Sequence, residues 1–139
     1  MQVEHLTPEG LVLITPDVFA DARGFFLERY NRRAFAAHGI DLDFVQDNHS
    51  QSVRGVLRGL HFQVPPFAQD KLVWVMRGEA YDVAVDIRPG SPTYGRWVGI
   101  VLSDTNRQMF LIPRGFAHGF VALSETVDFC YKTTNYYSR

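Results

Sequence analysis

Apolar and polar residues alternate in short runs along most of this chain, and glycine, proline, asparagine and aspartate separate the runs. Leu11 to Ile14 reads as a short strand. Pro16 and the turn Asp21-Ala22-Arg23-Gly24 follow, and Phe25 to Tyr30 reads as a second strand. Asn31 to Gly39 is the one clear helix: Asn31 is suited to cap it, Ala34 to Ala37 fill it, and Gly39 can end it in a left-handed conformation. From residue 44 onward the pattern is strand and turn. Candidate strands are Val53 to Gln63, Lys71 to Met76, Ala80 to Arg88, Tyr94 to Ser103, Gln108 to Ile112, Gly119 to Leu123 and Val127 to Lys132, with Arg77-Gly78-Glu79 and Asp104-Thr105-Asn106 as turns. Short strands at spacings of roughly 8–12 residues predict a mainly all-β fold, a sandwich or barrel, with one short N-terminal helix.

Two details of the alternation bear on chemistry. Val127, Phe129 and Tyr131 share one strand face, expected to be the interior, which puts Cys130 on the other face as a packed thiol. Arg58 and His61 are three apart, so a regular strand aims them at opposite faces. Either the strand breaks step between them, with Gly59 as the place for a bulge, or Arg58 faces solvent and only His61 faces inward.

Composition narrows the class without naming a function. A chain of 139 residues suits one domain, domain boundaries 1–139. The aromatic share of 14% favours strands, where such side chains fit the pleated surface. A net charge of −1 with no long basic run argues against nucleic acid or an acidic membrane as partner. No apolar run approaches the roughly 20 residues of a membrane helix. No basic stretch precedes an apolar run at the N-terminus, and a single cysteine excludes an internal disulfide, so a soluble cytoplasmic protein is expected.

Several segments, in order, then resemble one family. They are Asp21-Ala22-Arg23-Gly24-Phe25-Phe26-Leu27-Glu28, Gln46-Asp47-Asn48-His49-Ser50, Gly55-Val56-Leu57-Arg58-Gly59-Leu60-His61-Phe62-Gln63 and Gln69-Asp70-Lys71-Leu72-Val73. Further along come Asp82-Val83-Ala84-Val85-Asp86-Ile87-Arg88, Ser91-Pro92-Thr93-Tyr94-Gly95, Ile112-Pro113-Arg114-Gly115-Phe116-Ala117-His118-Gly119-Phe120 and Tyr131-Lys132. Along nearly its whole length the chain resembles the dTDP-4-dehydrorhamnose 3,5-epimerase family. The resemblance implies a cupin-type (jelly-roll) β-barrel, a homodimer and a dTDP-linked 4-keto-6-deoxyhexose as substrate. It implies His61 as the catalytic base and Tyr131 as the acid. It places substrate contacts at Arg23, Glu28, Gln46, Asn48, Arg58, Lys71 and His118, with Arg23 reaching into the partner's site. The implied product route is dTDP-L-rhamnose biosynthesis.

These residue types suit the chemistry. Epimerisation beside a ketone needs a base, an acid across the ring and a group that stabilises the enolate. An imidazole titrates near neutral pH and so is free to accept a proton, as His61 must. A phenol can donate, as Tyr131 must. The Lys71 ammonium offers positive charge where negative charge develops, and Arg23 and Arg58 offer paired donors for a diphosphate. Taken singly, each has a plainer reading: a core histidine or tyrosine, a solvent-facing lysine, a solvated arginine. His118 either bonds the sugar or holds its loop. No metal or other cofactor is expected: His61-Phe62-Gln63 stands where metal-binding cupins resemble one another in a His-x-His pair, and His61 and His118 alone are too few ligands.

The family runs on for several tens of residues past the position of Arg139 and there supplies an acid that orients the base. No aligned residue does so here, so the single cupin-type epimerase domain is expected to lack a C-terminal segment; Asp82 or Asp86 replacing that acid is the alternative. Beside the 3,5-epimerase stand an epimerase of C3 or C5 only, a ketoisomerase, and a non-catalytic nucleotide-sugar-binding cupin.

Overall fold

The computed structural model describes residues 1–139 as twelve strands and one short helix. In chain order the strands are β1 (Gln2–His5), β2 (Val12–Thr15), β3 (Val18–Asp21) and β4 (Gly24–Leu27), then α1 (Arg32–Ala37). β5 (Gln46–Val53), β6 (Leu57–His61), β7 (Lys71–Arg77) and β8 (Glu79–Asp86) follow. β9 (Trp97–Ser103), β10 (Met109–Ile112), β11 (Phe116–Ala122) and β12 (Thr126–Thr133) complete the set. The mainly-β expectation holds, and so does the single helix. Asn31 caps α1 by accepting from the Ala34 amide at 3.0 Å, and Gly39 follows with φ +81.

The strands form a six-stranded sheet in the order β1-β2-β10-β7-β12-β5 and a four-stranded sheet in the order β6-β11-β8-β9. A separate hairpin pairs β3 with β4. The two larger sheets face each other across one core. Val73, Val75, Phe110, Val127 and Phe129 come from the first sheet, and Leu102, Phe116, Phe120 and the alanines 80, 84 and 122 from the second. A second core lies on the outer face of the six-stranded sheet, where Phe35 of α1 and Ile40 cover Leu72, Trp74, Met109 and Cys130. Cys130 is therefore buried on the face opposite Tyr131, as alternation predicts.

Several boundaries differ from expectation. The run expected as one strand from Val53 to Gln63 is two elements: β5 ends at Val53, Gly55 turns the chain with φ +85, and β6 starts at Leu57. The strand expected from Phe25 to Tyr30 stops at Leu27, because only β3 pairs with it. The strand expected from Tyr94 starts at Trp97, because residues 91–96 form turns tied back to Asp86. No helix is long and apolar enough to cross a membrane.

Candidate active site

A cavity of about 350 Å³ opens at one end of the space between the two sheets. His61, Lys71, Tyr131 and Asn48 line it, together with Gln63, Gln69 and residues 137–139. Four strands aim these groups at one place. Asn48 lies directly opposite Tyr131 in the β5–β12 ladder, and Thr133 opposite Lys71 in the β12–β7 ladder. Residues two apart share a face, so Lys71 and Tyr131 project side by side, with the ammonium 5.7 Å from the phenol ring centroid.

β6 delivers His61 by breaking step. In its ladder with β11, His61 pairs with His118 and Arg58 with Phe120, so three residues of one strand span two of the other. Both partners are buried on the inner face of β11, which turns Arg58 and His61 to the same side. Gly59 makes this possible: it has φ +116, and a Cβ there would lie 2.7 Å from the Gly119 Cα and from the His118 carbonyl oxygen. Arg58 donates from Nε to the Ser52 hydroxyl at 2.9 Å and from its guanidinium to the Gln51 carbonyl at 3.1 Å.

The electrostatics separate the two candidate proton carriers. Burial pulls the His61 imidazole below its ordinary value, and the neighbouring Lys71 and then His118 add to that, so His61 is neutral and able to accept near pH 7. Burial pushes the Tyr131 phenol up, against the weaker pull of Arg58, so Tyr131 keeps its proton. Burial lowers the Lys71 ammonium, and the Asp82 carboxylate opposes that. An acceptor, a donor and a cation thus face one cavity, an arrangement suited to moving a proton on a carbon acid.

His118 sits behind His61, its ring edge-on at a centroid separation of 6.4 Å, and its Nε2 is 2.7 Å from Asp82 Oδ1. Asp82 and Asp86 were the two alternatives for an acid that orients His61, and both are engaged elsewhere. Asp82 bonds His118, and Asp86 is held by Arg88, Ser91 and Thr93. Gln46 is beside Asn48, donating to its side-chain oxygen at 3.0 Å.

Arg23 and Glu28 do not join this group within one chain. Arg23 sits at the tip of the β3–β4 hairpin, its side chain 90% exposed and paired with Asp21 at 2.6 Å. Glu28 accepts from the Asn31 amide at 3.0 Å. The hairpin also exposes Phe19, Phe25 and Phe26. Residues with no role assigned from the sequence are Gln63, Gln69 and the tail. Gln63 donates to the Tyr136 carbonyl and accepts from the Ser138 amide, Gln69 donates to the Asn135 carbonyl, and Tyr137 donates from its amide to Gln46. No group of three or more His, Cys, Asp or Glu side chains is placed to hold a metal ion.

Comparison with known proteins agrees with this geometry. The sequence model of the dTDP-4-dehydrorhamnose 3,5-epimerase family matches residues 5–139. A curated dTDP-4-dehydrorhamnose 3,5-epimerase of Escherichia coli is 54% identical over 99% of this chain and 75% of its own length. That of Pseudomonas aeruginosa is 55% identical over 99% of this chain and 76% of its own. Among solved structures, a dTDP-6-deoxy-D-glucose-3,5-epimerase of Legionella pneumophila in complex with dTDP-4-keto-L-rhamnose superposes with a TM-score of 0.95 at 50% identity, covering 99% of this chain and 73% of that one. The chain belongs to the dTDP-4-dehydrorhamnose 3,5-epimerase family.

Proposed function

We propose that the protein is an isomerase that epimerises C3 and C5 of dTDP-4-dehydro-6-deoxy-D-glucose to give dTDP-4-dehydro-L-rhamnose. The observation that carries this reading is the neutral His61 and the protonated Tyr131 on one cavity with the Lys71 ammonium beside them. C3 and C5 both flank the C4 carbonyl. His61 takes the proton from one of these carbons, and the C–H electron pair moves into an enolate whose oxygen bears the charge. Lys71 stabilises that oxygen. Tyr131 returns a proton to the opposite face, and solvent then restores the proton of Tyr131 and removes that of His61.

The facing sheets are read as a cupin-type jelly-roll barrel. Gln46, Asn48 and Arg58 are read as contacts to the nucleotide diphosphate and His118 as a group near the sugar. The exposed hairpin suits a homodimer in which Arg23 and Glu28 complete the partner's site: its phenylalanines are more than half exposed in one chain, and neither residue lies at its own cavity. A cytoplasmic role in L-rhamnose synthesis goes with this reading.

The test is deuterium incorporation from solvent into dTDP-4-keto-6-deoxyglucose, followed by NMR at C3 and C5, for the protein and its His61→Ala variant. Exchange at both carbons, lowered ~10²–10⁴-fold in the variant, supports the reading. Exchange at one carbon only makes the protein a monoepimerase. Binding with no exchange makes it a nucleotide-sugar-binding module.

A further inference from the structure

The inner face of β8 presents Ala80, Asp82, Ala84 and Asp86, all buried. Asp82 is 0% exposed, in a core made mostly of aliphatic and aromatic side chains. Its Oδ1 meets His118 Nε2 at 2.7 Å, while its Oδ2 and the His118 Nδ1 are buried without a partner in the protein. A carboxylate placed so deep is costly and has to be compensated by charge or hydrogen bonds. The compensation here is one hydrogen bond plus the nearby Lys71, whose ammonium is also buried and has no carboxylate within 4 Å. The other buried acids are already matched, Asp86 by Arg88 and Asp70 by Arg114.

We propose that Asp82 is a positioning residue of this site: from the inner face of β8 it fixes the His118 ring through Nε2 and holds positive charge on Lys71. It acts through these two groups and does not line the cavity itself. His118 in turn lies between Asp82 and His61, stacked on Phe129 at 6.1 Å and edge-on to His61. Because the carboxylate accepts, His118 carries its proton on Nε2. The purpose of the device rests on the epimerase reading, while its electrostatics belong to the chain alone.

The groups facing Lys71 are few. They are Asp82 from β8, His61 from β6 and Tyr131 from β12, with Tyr137 and Arg139 of the tail on the same cavity and His118 of β11 behind His61. The inner face of β5 offers only Gln46, Asn48, Ser50 and Ser52, and β10 no titratable group. Asp82 is the one acid among them. Burial pushes its carboxyl up, and the facing His118 and Lys71 pull it back toward the ionised form. Burial would discharge Lys71, and Asp82 counters that. A charged Lys71 then helps to hold His61 neutral.

The decisive variant is Asp82→Asn. The amide keeps the shape and still accepts from His118 Nε2, so only the charge is lost. The titration of Lys71 Cε, followed by NMR in the full chain and assigned with Lys71→Arg, is expected to move down by about one pH unit or more. In the exchange assay kcat is expected to fall about tenfold with KM little changed, and the basic limb of the kcat profile to move down with the Lys71 midpoint. An unchanged Lys71 midpoint in a folded variant overturns the proposal. A second reading needs no variant: Asp82 Cγ in the unmodified protein must report an ionised carboxylate at neutral pH, and a protonated one overturns the proposal equally. Neither titration depends on turnover. Failure of the epimerase reading would appear separately, as absence of exchange in the unmodified protein.

Discussion

Asp82 and Asp86 point from the same face of β8 into the same interior, and both are fully buried, yet they are solvated in opposite ways. Asp86 receives five donors: the Arg88 amide, the Arg88 Nε and Nη2, the Ser91 hydroxyl and the Thr93 hydroxyl. Its carboxyl is held well below the usual carboxylate range, first of all by the Arg88 guanidinium. Asp82 receives one donor, keeps an oxygen without a partner, and is pushed up by burial. The first pattern ties a loop: residues 88–93 fold back on the end of β8, and Gly95 donates its amide to the Asp86 carbonyl at 2.7 Å. The second leaves a charge unbalanced until another group answers it. A well-satisfied buried acid stabilises a fold, whereas an under-satisfied one beside a cavity is available to the chemistry.

The most severe test of this contrast is Asp86→Ala. It strips five donors of their acceptor, and a loss of roughly 3–5 kcal/mol is expected in denaturant unfolding, with the variant struggling to fold at all. A loss no greater than that of Asp82→Asn would break the contrast. Gly119→Ala should rank next. An added Cβ would lie 2.7 Å from the Arg58 carbonyl oxygen, so the β6 bulge must shift; about 1–3 kcal/mol of stability should go. Deuterium exchange should fall further than that loss explains, because His61 moves with the bulge. Unfolding curves and exchange rates measured on the same preparation separate the two effects.

The sequence discloses these regions unevenly, for a physical reason. Strands with a clear apolar pattern stand out: β7, packed on both faces, is a continuous apolar run from Leu72 to Met76, and β12 alternates so plainly that Tyr131 and Cys130 fall on their correct faces. β5 reads Gln-Asp-Asn-His-Ser-Gln-Ser-Val and escapes, because its inward residues form the polar wall beside the cavity. Hydrophobic periodicity fails where the interior is made wet for function. β3 escapes for a different reason: all four of its residues are exposed, since it pairs only with β4 and covers no core in this chain. His61 and Arg58 are legible through Gly59 between them. Asp82 and Asp86 are legible as two acids alternating with Ala80 and Ala84 on one face of β8, though the sequence offers them only as stand-in orienting acids for His61. What spacing cannot convey is that Asp82 meets His118 from another strand, or that Arg23 stands apart from the cavity.

Lys71→Met sharpens the contrast from the other side. Methionine fills similar space without a charge, so the buried ammonium no longer has to be supported. The fold should gain about 1 kcal/mol while exchange drops ~10²-fold, the trade expected of a residue kept for chemistry. The sign with pH can be stated. The folded Lys71 value lies below the ordinary lysine value, so the unfolded chain binds more protons between the two. Stability of the unmodified protein therefore rises as pH climbs through that window, and the methionine variant should lack this slope. Equal slopes would mean that burial does not strain Lys71, and the link to Asp82 would weaken with it.

Thr93→Ala is the gentlest probe and the most specific. It removes one of five donors from Asp86 and leaves the other four, including both from the Arg88 guanidinium. A cost of about 1 kcal/mol is expected near neutral pH. Asp86 is depressed in the fold, so it stabilises the protein above the ordinary carboxylate value and loses that contribution as pH falls toward the folded value. The variant raises the folded value slightly. Its deficit should thus be full above about pH 5 and should shrink as Asp86 protonates in both proteins. Unfolding free energies across the acid range measure this directly. A deficit that does not change with pH would assign the Thr93 contribution to packing, and donor number would then no longer separate Asp86 from Asp82.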